Sequence, residues 1–382
     1  MTASFDTAVV GGGIHGATVA LFLARAGQRV VLLDRGALCR EASGVNAGTL
    51  TMQMTRVALI PYALRGHAMW RTARDWLGHD VGMVTTDGLS LAFTEREAEL
   101  LTERARLRRE AGAPITIVST DRAREVEPGL SRRPLLAAHC PVDGYTAAYL
   151  TGRAYRRALV DAGADLREDT EVVGVEPFGR GYAVRTAVGE RVRASRLVLA
   201  GGVWLEPMAG WLGVRLPIKT LINQLAVTER LAPVMRTVIG IASGLLSLKQ
   251  YPNGTVVIGG GWQGIGDRER GGHTLHADRL IGNIRLACHA IPALSGARLA
   301  RAWAGLEAET ADAMPAVGPL PGYDGAWVCG SVHSGYTSGL AIAKLLADAI
   351  LGREPELPLF PVDRLVGEAA ASVPVLERED HQ

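Results

Sequence analysis

The chain has 382 residues, of which 48% are hydrophobic, and a formal net charge of +2 at pH 7. This length suits one large domain or two domains with a sizeable core. The near-neutral charge gives no electrostatic argument for a nucleic-acid partner. The four cysteines, Cys39, Cys140, Cys288 and Cys329, are widely separated. The sequence therefore predicts reduced thiols and no metal site.

The amino-terminal stretch MTASFDTAVVGGG has no basic segment before its apolar run, so it does not match a signal peptide. No uninterrupted apolar run reaches the roughly 18 residues that a membrane-spanning helix requires. We therefore expect a cytoplasmic protein without a transmembrane segment.

Residues 5–34 show the pattern strand, glycine loop, helix, strand. The apolar runs FDTAVV and RVVLLD flank the helix-like segment GATVALFLARAG, for which Gly27 is the predicted stop. Continuous apolar strands around a helix are typical of a parallel sheet that is covered on both faces.

The middle of the chain differs from residues 5–34 in its pattern of elements. The strand-like runs GLSLAF and ITIVS flank the charged helix EREAELLTERARLRREAG. Its charges form either a docking face or, as we expect, a face exposed to solvent. A further helix and strand lie in TGRAYRRALVDAGADLREDTEVVGVE, and a hairpin and a buried strand lie in YAVRTAVGERVRASRLVLAGG. Short strands then alternate with turns up to residue 300. A buried strand, GAWVCG, and a long helix follow.

The first glycine loop, VVGGGIHGATVA, carries Gly11, Gly13 and Gly16 as G-x-G-x-x-G between a strand and a helix. Gly11 allows the tight turn, and Gly13 lets a pyrophosphate approach the backbone. Gly16 lets the helix pack closely on the strand, and the helix amino terminus faces the phosphates. This pattern predicts a dinucleotide site.

The acid that ends the second strand supports this interpretation. Asp34 is placed to accept hydrogen bonds from the adenosine ribose hydroxyls, and its retention before Arg35 disfavours NADP. Ile14 and His15 lie inside the glycine motif. We expect His15 to lie beside the cofactor without a catalytic role.

The stretch ASGVNAGTL, residues 42–50, favours FAD over NAD. FAD is longer and stays bound, so its ribityl chain and ring need contacts along their length. Ser43 and Asn46 can bond phosphate or ribityl oxygens, and Gly44 and Gly48 can let the backbone run against the ring. The remaining cofactor-binding candidates in this stretch are Ala47, Thr49 and Leu50.

These elements predict an α/β fold (α+β overall), with a Rossmann-like FAD-binding domain and an inserted antiparallel-sheet substrate domain. The FAD-binding domain is predicted to comprise residues 1–75, 145–215 and 300–365. The substrate domain is predicted to comprise residues 76–144 and 216–299, and residues 366–382 form a carboxyl-terminal tail.

Several segments together make the chain resemble the FAD-dependent amine and amino-acid oxidoreductases. This family includes D-amino-acid dehydrogenase, glycine oxidase, sarcosine oxidase, and the small subunits of opine and hydroxyproline dehydrogenases. The resemblance covers nearly the whole chain and rests on the segments VVGGGIHGATVALFLARAGQRVVLLDRG, ASGVNAGTL, LVLAGGVW, WAGLEAETADAMPAVGP and CGSVHSGYTSG. SGVNAGTL followed by TMQMTR is most similar to the small subunit of opine oxidase.

The resemblance implies further contacts with a non-covalently bound FAD. At the adenosine end it implies Val173, Ala200, Gly201 and Trp204. At the pyrimidine edge of the flavin it implies Gly330, Val332, His333, Ser334, Gly335, Tyr336 and Thr337. The start of the last helix would favour the negative charge that reduction places there.

The implied reaction oxidises the C–N bond of an amino acid or N-substituted amino acid to an imine by hydride transfer to flavin N5. The substrate would be an opine, an imino acid or a glycine- or sarcosine-like compound. The hypothesis that we favour is that the chain is the catalytic subunit of a dehydrogenase complex, which passes electrons to a partner. The alternatives are an oxidase that produces hydrogen peroxide and a non-catalytic flavin-binding scaffold.

The candidates for the substrate pocket each have an alternative role. Glu307 stands where many relatives carry a carboxylate-binding arginine; it would bind a cationic or larger substrate, or cap a turn. His333 would bind a carboxylate or tune proton transfer, or bond the flavin or backbone. Lys249 would promote oxygen reactivity or lie on the surface. Tyr251 and Trp262 would wall the pocket or belong to the core.

Overall fold

The computed structural model describes residues 4–330 and 335–367. The strands are β1 (Ser4–Val10), β2 (Val30–Leu33), β3 (Thr49–Leu50), β4 (Val84–Thr85), β5 (Gly88–Ala92), β6 (Thr116–Ser119), β7 (Leu136–Cys140), β8 (Gly144–Tyr145), β9 (Asp165–Arg167), β10 (Val172–Phe178), β11 (Gly181–Thr186), β12 (Arg191–Leu199), β13 (Lys219–Thr228), β14 (Val238–Ile241), β15 (Ser247–Gln250), β16 (Val256–Gly259), β17 (Ile265–Gly266), β18 (His273–Thr274), β19 (Leu299–Glu309), β20 (Ala316–Pro319) and β21 (Ala326–Gly330). The helices are α1 (Ile14–Arg25), α2 (Ala42–Val45), α3 (Ile60–Arg71), α4 (Ala73–Leu77), α5 (Glu95–Glu110), α6 (Thr120–Val126), α7 (Ala148–Asp161), α8 (Leu205–Gly210), α9 (Ala277–Ala290) and α10 (Gly335–Ile350).

The first sheet has a parallel core in the order β21, β12, β1, β2, β9. The hairpin of β10 and β11 pairs antiparallel with the first half of β12, and β20 pairs with β21. Because β2 and β12 lie on opposite sides of β1, the carboxyl ends of these strands form the crevice in which such sheets bind ligands. The predicted parallel sheet is confirmed.

Both faces of this sheet are buried, as its continuous apolar strands predict. In β1, Val9 faces the layer that contains α1, α7 and α10, whereas Ala8 and Val10 face the opposite core. Helix α1 ends at Arg25, and Gly27 follows with a φ of 85°, which glycine adopts at low cost. The predicted stop at Gly27 is confirmed.

The second sheet has the order β19, β13, β16, β15, β14, β5, β7, β6 and is antiparallel except for the β14–β5 pair. Helix α9 packs on one face, and helix α5 packs on the other. Strand β19 is paired with β13 along its whole length. The predicted domain boundary at residue 300 falls at the start of this strand. The predicted domain boundaries stay predictions.

Helix α5 differs from the solvent-facing helix that its charges suggest. Thr94 and Glu97 cap its first turn reciprocally, and Leu101 and Ala105 are buried against the second sheet. Arg104 and Arg108 share that side of the helix, since residues three and four apart lie on one face. The expectation that all the charges of α5 point to solvent is wrong.

Among the described residues, no helix is long and apolar enough to cross a bilayer. The same part of the chain contains no group of three or more histidine, cysteine, aspartate or glutamate side chains placed to hold a metal ion. The four cysteines are free thiols. Burial raises the thiol pKa of Cys39, Cys140 and Cys329, so these thiols are protonated at neutral pH.

Candidate active site

A cavity of about 1130 Å³ is lined by residues of both sheets. Its walls include the loop after β1, the end of β2, the loop after β12, and the faces of β13 and β19. Ligand pockets typically measure roughly 300–1,000 Å³. The cavity is therefore large enough for a dinucleotide and a second, smaller molecule.

The glycine loop is packed so closely that side chains cannot be added at two of its positions. A Cβ atom at Gly11, whose φ is 109°, would lie 2.4 Å from the carbonyl oxygen of Ala200. A Cβ atom at Gly16 would lie 1.9 Å from the carbonyl oxygen of Gly11. Gly13, by contrast, lines the cavity together with Ile14, so the amino terminus of α1 opens onto it. The close packing at Gly11 and Gly16 agrees with the roles predicted for them, and the pyrophosphate contact of Gly13 stays a prediction.

Asp34 lies at the cavity edge and holds the glycine loop in place. Its carboxylate accepts hydrogen bonds from the backbone N–H groups of Gly12 at 2.6 Å and Gly36 at 2.8 Å. Burial raises the pKa of this carboxyl group, against the lowering effect of these two bonds. Each carboxylate oxygen retains a further lone pair, so Asp34 can still accept hydrogen bonds from a ribose.

The guanidinium carbon of Arg35 lies 3.9 Å from the ring centroid of Trp204. These two side chains, with Ala200 and Gly201, line the same part of the cavity. Val173 is 41% exposed and does not line the cavity; residues 170–172 do so instead. The adenosine contact expected of Val173 stays a prediction.

The stretch ASGVNAGTL forms the short helix α2 and then strand β3 rather than a continuous loop. Ser43 accepts a hydrogen bond from the N–H group of Ile14 at 2.9 Å and so ties this stretch to α1. Asn46 donates to the carbonyl groups of Ala42 and Ser43 and accepts from the N–H group of Gly48. Asn46 therefore stabilises the turn, although it also lines the cavity with Ala47 and Thr49.

The other three predicted residues of this stretch face protein rather than the cavity. A Cβ atom at Gly44 would lie 2.1 Å from the carbonyl oxygen of Cys39, and one at Gly48 would lie 2.1 Å from that of Thr146. Leu50 is completely buried in the core of the first sheet. Gly44 and Gly48 are not part of the cavity lining, and their expected contact with the cofactor stays a prediction.

The start of α10 closes another side of the cavity. Gly335, Tyr336 and Thr337 line it, and the hydroxyl group of Tyr336 is hydrogen bonded to those of Thr146 and Thr151. Gly330 ends β21 and is buried away from the cavity lining. The predicted contacts of Val332, His333 and Ser334 lie outside the described residues.

His15 lines the cavity at the first turn of α1. A Cβ atom at Gly339 would lie 2.3 Å from its Nε2 atom, so the ring packs directly on α10. Burial lowers the pKa of His15 to about 4, against the effect of a hydrogen bond with the backbone of Gly335. The imidazole is therefore neutral at pH 7.

The described residues fit a bound FAD. The cavity combines a backbone cradle that admits no Cβ at Gly11 or Gly16, a helix amino terminus and a ribose acceptor. It then continues to Thr49 and Thr337, and further to the polar face of the second sheet. A nicotinamide dinucleotide would use the cradle, the helix amino terminus and the ribose acceptor. A flavin dinucleotide with a substrate would also use the part of the cavity that extends to the second sheet.

A polar chain of side chains lies where β13 and β19 face the cavity. Gln263 donates to Asn223 at 2.5 Å, and Asn223 donates to a carboxylate oxygen of Glu307. Glu307 lies within strand β19, where it pairs with Leu221 of β13, and it lines the cavity together with Asn223. The alternative role of Glu307 as a turn cap is therefore wrong.

Lys249 is completely buried on β15. Its ammonium group donates to the hydroxyl groups of Thr49 and Ser247, and both of these residues line the cavity. Burial lowers the pKa of Lys249 to about 7. The alternative position of Lys249 on the surface is wrong.

Tyr251 and Trp262 do not wall the cavity. The hydroxyl group of Tyr251 donates to the carbonyl groups of Thr146 and Ala47, behind β3. The indole of Trp262 donates to the carbonyl group of Leu245 at 2.8 Å and packs on Gly282 of α9. The role of Tyr251 and Trp262 as pocket walls is therefore not supported by their positions.

Four arginines that the motifs do not single out line the cavity: Arg40, Arg56, Arg104 and Arg108. Arg56 forms an ion pair with Glu309 at 3.4 Å. Arg104 donates to the carbonyl group of Ala242 at 2.7 Å, and Arg108 donates to that of Thr55 at 2.8 Å. The sequence feature that indicates Arg104 and Arg108 is their helical spacing from the buried Leu101. The high charge of this helix makes that spacing easy to overlook.

The fold and the site define an enzyme that binds a dinucleotide across the carboxyl ends of a parallel sheet and holds a second molecule against an antiparallel one. The chain belongs to the family of FAD-dependent oxidoreductases, whose family model matches residues 6–349. The predicted cofactor, FAD, and the predicted fold class are confirmed.

Individual relatives span the same length. The chain is 28% identical to the glycine oxidase of Geobacillus kaustophilus (strain HTA426), over 94% of this chain and 97% of that protein. It is also 28% identical to an opine oxidase subunit of Rhizobium meliloti, over 96% of this chain and 99% of that protein. The crystal structure of glycine oxidase from Geobacillus kaustophilus matches with a TM-score of 0.84 at 26% identity, covering 96% of this chain and 100% of that one.

Proposed function

We propose that this chain oxidises the C–N bond of an amino acid or N-substituted amino acid to an imine, and that it does so as the catalytic subunit of a larger dehydrogenase. The observation that carries the proposal is the continuous cavity, which joins the Gly11–Asp34 cradle to Glu307 and the cavity-lining arginines. Two of its relatives, a glycine oxidase and a subunit of opine oxidase, carry names that fit such substrates.

The residues around the cavity suit this chemistry. Bound FAD supplies the acceptor for the two electrons. The Glu307 carboxylate attracts an amine, and its bond from Asn223 fixes the direction of its oxygens. The apolar walls of the cavity, such as Leu225 and Leu306, exclude water from the reacting C–N bond. Orientation of the substrate by these groups is the main contribution expected from the protein.

The names of relatives support the proposed subunit arrangement. The opine oxidase relative is named as one subunit of an assembly, and its similarity extends over 96% of this chain. In that arrangement the electrons leave to a partner rather than to oxygen.

The experiment is anaerobic flavin reduction. The FAD-loaded protein is mixed with glycine, sarcosine, proline, D-amino acids and N-carboxyalkyl amino acids, and the visible flavin absorbance is followed. We expect at least one amine to bleach the flavin. If dithionite bleaches it and no amine does, the chain is a flavin-binding scaffold and the proposal fails.

An oxidase that reduces oxygen is the second candidate, and the position of Lys249 favours it. An ammonium group beside Thr49 and Ser247 would stabilise negative charge on reduced oxygen. The test mixes the substrate-reduced protein with oxygen. Fast reoxidation with stoichiometric peroxide, slowed in Lys249→Met, supports the oxidase and excludes a required partner; slow reoxidation that an artificial dye accelerates supports the subunit.

A further inference from the structure

Two arginines of one helix reach the cavity beside strands of the second sheet. Arg104 and Arg108 are four residues apart on α5, so their side chains are neighbours on the helix surface. Both line the cavity, together with Ser90 and Ile241 of the second sheet. The wall of the cavity beside these strands is therefore cationic.

The hydrogen bonds of these arginines hold them in place without neutralising them. Each bond that they make within the described residues goes to a backbone carbonyl group, of Ala242 for Arg104 and of Thr55 for Arg108. Neither arginine forms an ion pair with a described residue, whereas Arg106 of the same helix pairs with Glu103 and Glu110. The inward-facing arginines keep donors for a ligand, since a guanidinium group has five N–H donors.

Burial makes this arrangement costly for the protein alone. Desolvation lowers the pKa of Arg108 to about 10; the like charge of Arg104 adds to that effect, and the charge of Asp143 opposes it. Two guanidinium groups in a partly buried cavity repel each other, and an anion between them would offset that cost. A carboxylate is the anion that matches the planar donors of arginine.

We propose that Arg104 and Arg108 form a subsite for the second carboxylate of amines that carry one carboxylate arm on each side of the reacting nitrogen. This inference rests on the proposed function, because it names the substrate class of the same cavity. One carboxylate arm lies against Arg104 and Arg108, and Glu307 lies on the opposite sheet edge, where it faces the amine rather than a carboxylate. The class is N-carboxyalkyl amino acids rather than simple amino acids.

The test uses ligands that cannot be oxidised at a C–N bond, so that it does not depend on turnover. Oxydiacetate has two carboxylates joined by an ether oxygen, and methoxyacetate has one carboxylate and the same ether. Binding of each to the FAD-loaded protein is measured by calorimetry and by the change in flavin absorbance. We expect oxydiacetate to bind more tightly than methoxyacetate by roughly tenfold or more, as for a charge-assisted hydrogen bond.

The variants Arg104→Gln and Arg108→Lys separate recognition from folding. Arg108→Lys keeps the positive charge but loses the paired N–H donors of the guanidinium group, so we expect a partial loss of the preference for oxydiacetate. The double variant Arg104→Gln, Arg108→Gln should abolish this preference. Arg109→Gln, on the exposed side of α5, is the matched control and should leave the preference unchanged. FAD content establishes that each variant is folded.

Failure of the proposed subsite and failure of the proposed oxidation give different experimental results. Equal binding of the two ligands, or a preference that survives the double substitution in a folded protein, overturns the subsite. Flavin reduction by glycine or sarcosine but not by iminodiacetate also overturns it, while leaving the proposed function intact. Tight binding of oxydiacetate without flavin reduction by any amine supports the subsite and overturns the oxidation.

Discussion

The ammonium group of Lys249 is hydrogen bonded to the hydroxyl group of Thr49, which joins the second sheet to the strand that follows α2. Lys249 is completely buried, and desolvation is the cause of its lowered pKa. A charged lysine in that position costs folding free energy, which soluble proteins tolerate mainly at functional sites.

The first prediction concerns stability against pH. Because the pKa of Lys249 falls from 10.5 to about 7 on folding, its cost is absent above pH 10.5, grows as the pH falls, and is complete below pH 7. Lys249→Met should therefore raise the free energy of unfolding by roughly 4 kcal/mol near pH 7, with the gain shrinking towards pH 10. Denaturant unfolding at several pH values measures this.

Lys219→Met is the control, since Lys219 is exposed at the start of β13. It should show no such pH-dependent gain. A constant difference between wild type and Lys249→Met across the pH range would contradict the assignment of the effect to titration of the buried amine.

The second prediction separates the roles of two glycines in the first loop. Gly13→Ala should leave stability nearly unchanged, because its Cβ meets only Ser43 Oγ, at 3.4 Å. That Cβ would enter the cavity wall, so FAD affinity should fall. Gly16→Ala should lower both stability and FAD content, because its Cβ would lie 1.9 Å from the carbonyl oxygen of Gly11 and the helix must move, at a cost of roughly 3 kcal/mol.

Flavin content of the purified variants and thermal unfolding of the apoproteins check this prediction. Gly210→Ala is the control, because a Cβ at Gly210 meets no atom within 4 Å. Loss of stability in Gly13→Ala equal to that in Gly16→Ala would show that the two glycines do not have separate roles.

The local parts of the site could be predicted from the sequence. A strand, a glycine loop, a helix and an acid lie within 30 consecutive residues of the chain, so each part constrains the next, and Asp34 lies at the cavity as expected. Non-local parts are harder. The pairing of β19 with β13 joins segments about 80 residues apart, and nothing within residues 299–309 shows to which sheet they belong.

The errors at Lys249 and on α5 have the same physical origin. Strand β15 lies between β14 and β16 and is almost completely buried, so the alternation of polar and apolar residues does not indicate an outward face for Lys249. Helix α5 has only a narrow apolar stripe, with Leu101 and Ala105 buried, and its many charges hide the fact that Arg104 and Arg108 extend that stripe. Periodicity, rather than composition, would have placed both arginines inward.

The third prediction tests the carboxylate on β19. Glu307→Gln keeps the shape of the side chain and a hydrogen-bond acceptor for Asn223, but removes the negative charge. We expect FAD content to stay unchanged and kcat/KM for amine substrates to fall roughly tenfold, mainly through KM, because a charge that attracts the amine is lost. Steady-state kinetics with the amine that bleaches the flavin, whichever it is, measures this. Glu229→Gln, exposed just beyond β13, should behave as wild type, and an unchanged KM in Glu307→Gln would exclude Glu307 from substrate binding.

The fourth prediction concerns the adenosine end of the cavity. The guanidinium group of Arg35 stacks on Trp204 and also approaches Glu41 at 3.7 Å, so it holds the indole as a wall of the cavity. Arg35→Gln should weaken FAD binding roughly fivefold, the value of one cation–π contact at a partly exposed site. The apoprotein should lose affinity for ADP by the same factor, because ADP shares only the adenosine diphosphate part of FAD. Titration of tryptophan fluorescence measures both affinities, with Arg29→Gln, paired to Asp6 on the surface, as the control. If FAD affinity falls while ADP affinity does not, Arg35 acts elsewhere in the cavity and the adenosine does not lie against Trp204.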